Sequence, residues 1–139
     1  MNLTTKAAVV AGAVLAVGVA VAAPASAASF GPIWIGGGAY SYNDGQDLIC
    51  ATATNSSATP KVKRYIEVNA WPLNSSDGPS RQFRDYNNAF SDGSGNTCRS
   101  LATAYEDSSY RVSAIAFEWN TEFGQWVRAS HIDVRDFYS

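Results

Sequence analysis

The sequence after residue 27 predicts an all-β domain, either an antiparallel β-sandwich or a small β-barrel of roughly seven to nine strands. Three observations support this fold class. Apolar and polar residues alternate in short runs, and no long apolar pattern has the helical period of about 3.6 residues. Turn-forming residues separate the runs. All 6 Phe, 4 Trp and 7 Tyr residues lie beyond residue 27, and aromatic side chains favour strands.

Each strand is predicted from an alternating run that lies between turn signals. The Gly36-Gly37-Gly38 triplet divides the first two runs, and Asn43-Asp44-Gly45 is typical of a tight turn. Polar loops at 55–60, 72–80 and 87–96 separate later runs. Because no connection is long enough for a crossover helix, we expect antiparallel pairing. The predicted strands are 31–35, 38–42, 47–54, 61–71, 81–86, 97–105, 110–119 and 125–134.

The long strand at 61–71 shows most clearly which side chains face the core. Successive side chains of a strand point to opposite faces. The predicted inner face carries Val62, Ile66, Val68 and Ala70. The predicted outer face carries Lys63, Tyr65, Glu67, Asn69 and Trp71. Arg64 interrupts the apolar face, so we expect it near an end of the sheet.

Residues 1–27 have the pattern of a secretory signal peptide. Lys6 precedes an apolar run at 7–23, and the small residues Ala25-Ser26-Ala27 form an A-x-A cleavage site. The run resembles the Ala/Val-rich export signals of high-GC Gram-positive bacteria. As a membrane anchor it would be short and weakly apolar, and no basic stop-transfer cluster follows it. We therefore predict a secreted, extracellular protein, not bound to a membrane after cleavage, with one all-β domain at 28–139.

The only two cysteines of the chain, Cys50 and Cys98, predict one disulfide. An even number of cysteines in an exported protein is typical of a structural disulfide. The chain-entropy model assigns a bridge that closes the loop from Cys50 to Cys98 a stabilisation of ~4 kcal/mol. Two thiols and a single histidine cannot form a closed zinc site. Two buried free thiols are the remaining alternative.

Pairs of alanines occur in several predicted strands and leave the nature of the core open. Alanine is a weak strand former, so such pairs leave space for a larger group. In one interpretation Trp34, Trp71, Tyr105 or Phe117 fills this space. In the other, the alanines line a cavity for an apolar ligand, as in small ligand-binding barrels. The pairs are Ala51 with Ala53, Ala102 with Ala104, and Ala114 with Ala116.

Charge patterning argues against nucleic acid as a partner. The full chain has a formal net charge of −2, and its basic residues are interleaved with acidic ones along the sequence. A nucleic-acid-binding surface requires a basic patch or stripe. No motif indicates a cofactor.

The only histidine of the chain, His131, has Ser130 beside it and Asp133 two residues later. A histidine with an orienting aspartate can activate a serine nucleophile. No Gly-x-Ser-x-Gly motif is present, and no spacing marks a carboxylate pair for acid–base chemistry. The sequence therefore leaves enzymatic activity open but favours its absence, and it identifies no catalytic residue.

The loop at 87–96 is rich in the oxygen ligands that Ca²⁺ prefers. Its asparagines and serines faintly resemble the calcium motif of βγ-crystallins, although Asp92 stands where that motif has a second serine. It also lacks the glycine and glutamate of an EF-hand loop. An ordinary glycine-rich loop is the favoured interpretation, and we predict no metal ligand.

Aromatic residues give the tentative ligand-binding set. Trp119 and Trp126 flank the loop at 120–124, where they can pair across two strands or form an aromatic binding tip with Phe123. Tyr65 and Trp71 lie on the predicted outer face of the long strand. The complete set is Tyr65, Trp71, Trp119, Phe123 and Trp126.

Three functional hypotheses follow from these features. The first is a small secreted, non-enzymatic β-domain that binds an extracellular protein or glycan, as an inhibitor, a toxin or a surface-interaction protein does. The second is a small β-barrel whose internal cavity binds or converts a small hydrophobic metabolite. The third is a calcium-binding module similar to the βγ-crystallins.

Overall fold

A computed structural model of the chain describes residues 28–54, 62–87, 95–102 and 108–139. The predicted signal peptide at 1–27 and most of the candidate calcium loop lie outside the described residues. Among the described residues, no helix is long and apolar enough to cross a membrane.

Nine strands in the described residues form two antiparallel sheets. They are β1 (Phe30–Trp34), β2 (Gly38–Asn43), β3 (Leu48–Ala53), β4 (Arg64–Pro72), β5 (Arg81–Tyr86), β6 (Thr97–Ser100), β7 (Ser109–Asn120), β8 (Gln125–Arg128) and β9 (Asp133–Tyr138). The first sheet has the order β1-β2-β3-β6. The second has the order β5-β4-β7, and β8 and β9 both pair with β7. The predicted all-β, antiparallel fold is confirmed.

The predicted strand at 125–134 is wrong in one respect, because the chain forms two strands there. β8 pairs with the last residues of β7, and β9 pairs with its first residues. Between them, the Ala129 N–H donates to the Ala116 carbonyl (2.8 Å) and the Ala116 N–H donates to the Ser130 hydroxyl (3.0 Å). The serine side chain thus replaces a strand partner at the break.

The predicted strand at 97–105 is also too long, since β6 ends at Ser100. The Leu101 N–H donates to the Asp47 carbonyl (2.7 Å), and the Leu101 side chain is fully buried. Leu101 therefore turns into the core instead of continuing the strand.

The core lies between the two sheets and is filled mainly by side chains from both inner faces. The predicted inward positions Ile66, Val68 and Ala70 are all buried in it. Its aromatic members are Tyr40, Tyr42, Phe83, Tyr110 and Phe137. Four of the six alanines singled out from the sequence belong to the same cluster, namely Ala51, Ala53, Ala114 and Ala116. Ala102 is exposed, and Ala104 lies outside the described residues.

Three of the four aromatic side chains expected to fill the space beside the alanines do not lie in the core. Trp34, Trp71 and Phe117 lie outside the core cluster, and Tyr105 lies outside the described residues. Trp71 and Phe117 occupy the outward positions of β4 and β7, while Trp34 is the last residue of an edge strand.

The alanines lie where the two sheets approach each other closely. A Cβ atom on Gly38 would lie 3.1 Å from Cβ of Ile66 in the opposite sheet and 2.9 Å from the Thr52 carbonyl oxygen. Ala53 is the register partner of Gly38. A Cβ on Gly37 would lie 3.3 Å from Cβ of Ala116. Small residues therefore allow close packing here, whereas Tyr42 and Phe137 pack together farther along the strands, with ring centroids 4.7 Å apart.

A buried carboxylate connects the two sheets along one edge. Asp85 of β5 is 6% exposed. One of its oxygens accepts the Ala53 N–H (2.7 Å), and the other accepts the Thr97 hydroxyl (2.7 Å). Both donors belong to the first sheet, so Asp85 supplies them with hydrogen-bond acceptors from the opposite sheet.

A second polar cluster connects the sheets along the opposite edge. The Tyr40 hydroxyl of β2 donates to the Asp133 carboxylate of β9, and Arg135 donates to the Tyr40 hydroxyl (2.9 Å) and to Asp133 (3.2 Å). The hydrogen bond from Tyr40 holds the pKa of Asp133 below its usual value, with a further contribution from Arg135. Phe30 and Phe137 pack beside this cluster, with ring centroids 5.3 Å apart.

The predicted disulfide is confirmed. Cys50 of β3 and Cys98 of β6 are register partners, and their Cα atoms lie 4.1 Å apart. Since β6 has only four residues and lies at the edge of its sheet, the bridge is the covalent connection that holds it against β3.

We expect Asp85→Ala to lower the free energy of unfolding by about 3 kcal/mol, because it leaves two donors without an acceptor between the sheets. Asp85→Asn retains one good acceptor and should cost less. Asp136→Ala is the matched control: Asp136 forms an exposed ion pair with Arg111, which is worth at most about 1 kcal/mol. Urea denaturation measures all three variants. Equal losses for the alanine variants of Asp85 and Asp136 would contradict this role.

The buried tyrosines predict a loss of stability at alkaline pH. Burial raises the pKa of Tyr42 to about 12, and burial together with the hydrogen bond to Asp133 raises the pKa of Tyr40 further. An unfolded tyrosine ionises near pH ~10. This contribution to stability is therefore complete below that pH and is lost as the pH rises towards 12. Urea denaturation at increasing pH should show this decline, and Tyr42→Phe should reduce it. A flat profile up to pH 12 would contradict the assignment.

Candidate functional site

The outer face of the second sheet carries a cluster of aromatic side chains that the core does not use. Tyr65 of β4 is the register partner of Tyr86 on β5 and of Phe117 on β7. Trp119 of β7 is the register partner of Trp126 on β8. We call Tyr65, Tyr86, Phe117, Trp119 and Trp126 the aromatic face.

The rings of the aromatic face contact one another directly. Tyr65 stacks on Phe117, with centroids 4.8 Å apart and an interplanar angle of 20°. Its ring meets the Trp126 ring edge to face, with centroids 4.7 Å apart. The Tyr86 ring is tilted against it, with centroids 5.1 Å apart. Trp119 and Trp126 pack edge to face at 5.4 Å, which is the cross-strand pairing that the sequence offers as one of two alternatives. Such contacts stabilise a pair by ~0.5–1.5 kcal/mol beyond the burial of area.

Burial divides the aromatic face into a floor, which is Tyr65, and a rim, which is formed by the other four rings. Tyr65 is 5% exposed because its neighbours cover it, whereas Tyr86 is 42% exposed. Phe117, Trp119 and Trp126 are partly exposed. Because each ring is held by others, the face offers a rigid apolar surface that loses little conformational entropy when it binds a ligand.

Charged side chains lie beside the rings. The Arg84 guanidinium lies over the Tyr65 ring, 4.9 Å from its centroid, and its Nε donates to Glu67 (2.7 Å). The hydrogen bond to Glu67 raises the pKa of Arg84 above its already high value. Gln82 precedes Arg84 on β5 and is exposed on the same strand. Hydrogen-bonding groups therefore border the apolar surface.

The structure brings together three of the five predicted ligand-binding residues, Tyr65, Trp119 and Trp126. Trp71 shares their face of β4 but lies about 20 Å along the strand from Tyr65. Phe123 lies in the turn after β7, where its N–H donates to the Asn120 side chain (3.0 Å) and its ring is 66% exposed. Neither Trp71 nor Phe123 contacts the rings of the aromatic face.

Sequence reasoning did not include Tyr86, Phe117 or Arg84 in the site. Phe117 alternates with Trp119, so strand periodicity alone places the two on one face. Tyr86 and Arg84 likewise alternate in the predicted strand at 81–86. The alternation within a strand does not specify the register between strands. It is this register that places Tyr86 and Phe117 on either side of Tyr65.

The residues around His131 do not form a catalytic triad among the described residues. The Ser130 hydroxyl donates to the His131 carbonyl (2.8 Å) and accepts the Ala116 N–H. The Asp133 carboxylate binds Tyr40 and Arg135. Both candidate partners of the imidazole thus form their hydrogen bonds with other groups. In the described part of the chain, no group of three His, Cys, Asp or Glu side chains is placed to hold a metal ion.

A groove of about 480 Å³ lies at one end of the molecule, between the β1–β2 turn and the β8–β9 connection. Trp34, Arg128 and His131 line it, together with the backbone around Gly36 and Ser130. The Trp34 side chain is 67% exposed. Arg128 is also the register partner of Phe117, so the groove begins beside the aromatic face.

Comparison of the chain with protein-family models, curated proteins and solved structures gives no match.

We expect the floor and the rim of the aromatic face to differ in their effect on stability. Tyr65→Ala should lower the free energy of unfolding by about 3 kcal/mol, because Tyr65 is buried beneath three other rings. Tyr86→Ala should cost about 1 kcal/mol or less, since much of this ring is already in water. Urea denaturation of the two variants provides the comparison. A larger loss for Tyr86→Ala than for Tyr65→Ala would contradict the division.

Proposed function

We propose that the protein is a secreted, non-enzymatic binding domain whose aromatic face holds an extracellular glycan. One observation carries this proposal: five aromatic side chains cluster on the outer face of the second sheet, opposite the core. Aromatic residues in a partly exposed cluster are costly in water, and exposed apolar patches of this kind mark binding surfaces.

The chemistry of a sugar ring suits this surface. A pyranose presents apolar C–H groups on its faces and hydroxyl groups around its rim. The rings of Tyr86, Trp119 and Trp126 offer apolar faces and edges, while Arg84 and Glu67 offer hydrogen-bond donors and acceptors beside them. Stacking on rigid aromatic rings, with a few polar groups to fix orientation, is typical of small-ligand sites.

The extent of the aromatic face favours a glycan over a protein partner. A standard protein interface uses about 20–30 residues on each side. The aromatic face has five side chains, and two of the most exposed aromatic residues, Trp34 and Phe123, are not among them. A protein partner remains an outcome that the binding experiment below distinguishes.

The alanine-lined strands give less support to a cavity for an apolar metabolite. The described inner-face alanines belong to a core that also contains Tyr40, Tyr42 and Phe137. The described groove at Trp34 is open to solvent and has the charged side chain of Arg128 at its wall, which does not suit a purely apolar ligand.

Secretion is part of the proposal and has two supports. The sequence at 1–27 has the order of charge, apolar run and cleavage site of an export signal. The Cys50–Cys98 disulfide is compatible with an oxidising compartment.

We expect Trp126→Ala and Tyr86→Ala each to weaken glycan binding by about tenfold or more, because each removes an aromatic surface on which a sugar ring stacks. A panel of neutral and acidic oligosaccharides, screened on an array and then titrated calorimetrically, provides the measurement. Phe123→Ala is the matched control, since it removes an exposed aromatic ring outside the face.

Two results would contradict the proposal. One is the absence of binding to every oligosaccharide tested. The other is binding that Phe123→Ala abolishes while Trp126→Ala and Tyr86→Ala leave it unchanged. The second result would identify the loop at 121–124 as the contact and would favour a protein partner with a pocket for Phe123.

A further inference from the structure

The groove beside the aromatic face is lined by Arg128, which differs from the other arginines in its contacts. The described residues include seven arginines. Four of them form ion pairs, namely Arg64, Arg84, Arg111 and Arg135. Two others, Arg81 and Arg99, donate to backbone carbonyls. Among the described residues, only Arg128 has neither type of partner. Its guanidinium is therefore available to a ligand.

The walls of the groove are fixed by the backbone. On one side, the β1–β2 turn is closed by hydrogen bonds from Ile35 N–H to the Gly38 carbonyl (3.1 Å) and from Thr54 N–H to the Gly37 carbonyl (2.9 Å). Gly36 has a φ of +69°, a conformation that favours glycine. On the other side, Ser130 is held by its hydrogen bonds to Ala116 and His131. The groove is preformed, which lowers the entropic cost of binding.

The side chains in the groove suit a ring that carries a negative charge. Trp34 provides an exposed indole, and Arg128 provides a planar guanidinium whose paired donors match the two oxygens of a carboxylate. His131 adds a further hydrogen-bonding group. Two acidic residues lie close to the groove: Glu118 is the register partner of Val127, and Asp133 follows His131 by two residues. Each is already paired with another arginine, so they do not neutralise Arg128.

We infer that this groove binds the carboxylate of a uronic acid residue in the same glycan that occupies the aromatic face. The inference rests on the proposed function. Arg128 connects the two surfaces, since it lines the groove and is the register partner of Phe117. A glycan chain that stacks on Trp126 and Tyr86 can therefore place a neighbouring acidic sugar against Arg128 and Trp34.

The test uses matched uronic-acid oligosaccharides with free and methyl-esterified carboxyl groups, titrated calorimetrically against the purified protein. We expect the free acid to bind about tenfold more tightly than the ester, because only the acid forms charge-assisted hydrogen bonds with Arg128. Arg128→Gln should remove this preference, because it weakens binding of the acid much more than binding of the ester. Arg128→Lys retains the charge but loses the planar fork, so it should restore only part of the preference.

Arg111→Gln is the matched control, since it removes an exposed, ion-paired arginine from the same sheet. It should leave the preference intact. Urea denaturation of each variant verifies that it is folded, and Trp34→Ala provides a second variant of the groove that should weaken binding of the acid.

The outcomes separate the two proposals. If both forms bind equally and Trp126→Ala weakens both, the aromatic face is a glycan site and the inference about the groove is wrong. A preference for the acid that persists in Arg128→Gln also overturns the inference. If neither form binds but neutral oligosaccharides do, the inference is again wrong. If no oligosaccharide binds at all, the proposed function fails as well.

Discussion

The two sheets share no strand pairing in the described residues, so their connection depends on the side chains between them. Asp85 is one of these, and its buried carboxylate satisfies a backbone N–H of β3 and a hydroxyl of β6 at once. The cluster of Tyr40, Asp133 and Arg135 connects the opposite edge. Since hydrogen bonds are directional, these two contacts specify how one sheet lies on the other, which apolar packing alone specifies less strictly.

This arrangement separates the residues that build the fold from those that we propose for binding. The close approach at Gly38, Ala53 and Ala116 lets small residues complete part of the core, and buried tyrosines complete the rest. The aromatic face is therefore not needed to fill the interior. It occupies the opposite side of the second sheet, where β4, β5, β7 and β8 present one ring cluster to solvent.

Sequence reasoning succeeded where the physical signal is local. Alternation in the strand at 61–71 placed Ile66 inward and Tyr65 outward, and the cysteine pair indicated the disulfide. The sequence does not predict contacts that depend on residues far apart in the chain. Asp85 shares the inner face of β5 with Phe83, but no local feature identifies its hydrogen-bond donors, because they come from the other sheet. The register that places Tyr86 and Phe117 beside Tyr65 likewise depends on tertiary pairing.

We propose that the aromatic face and the adjoining groove form one surface for an acidic glycan. It is tested most directly by NMR of the isotope-labelled protein during titration with a uronic-acid oligosaccharide. We expect the indole N–H signals of Trp119 and Trp126 and the side-chain Nε–H signal of Arg128 to shift together along one binding curve. Signals of the core residues Tyr110 and Val112 should remain in place. Shifts confined to Phe123 and its turn, or shifts spread through the core, would contradict it.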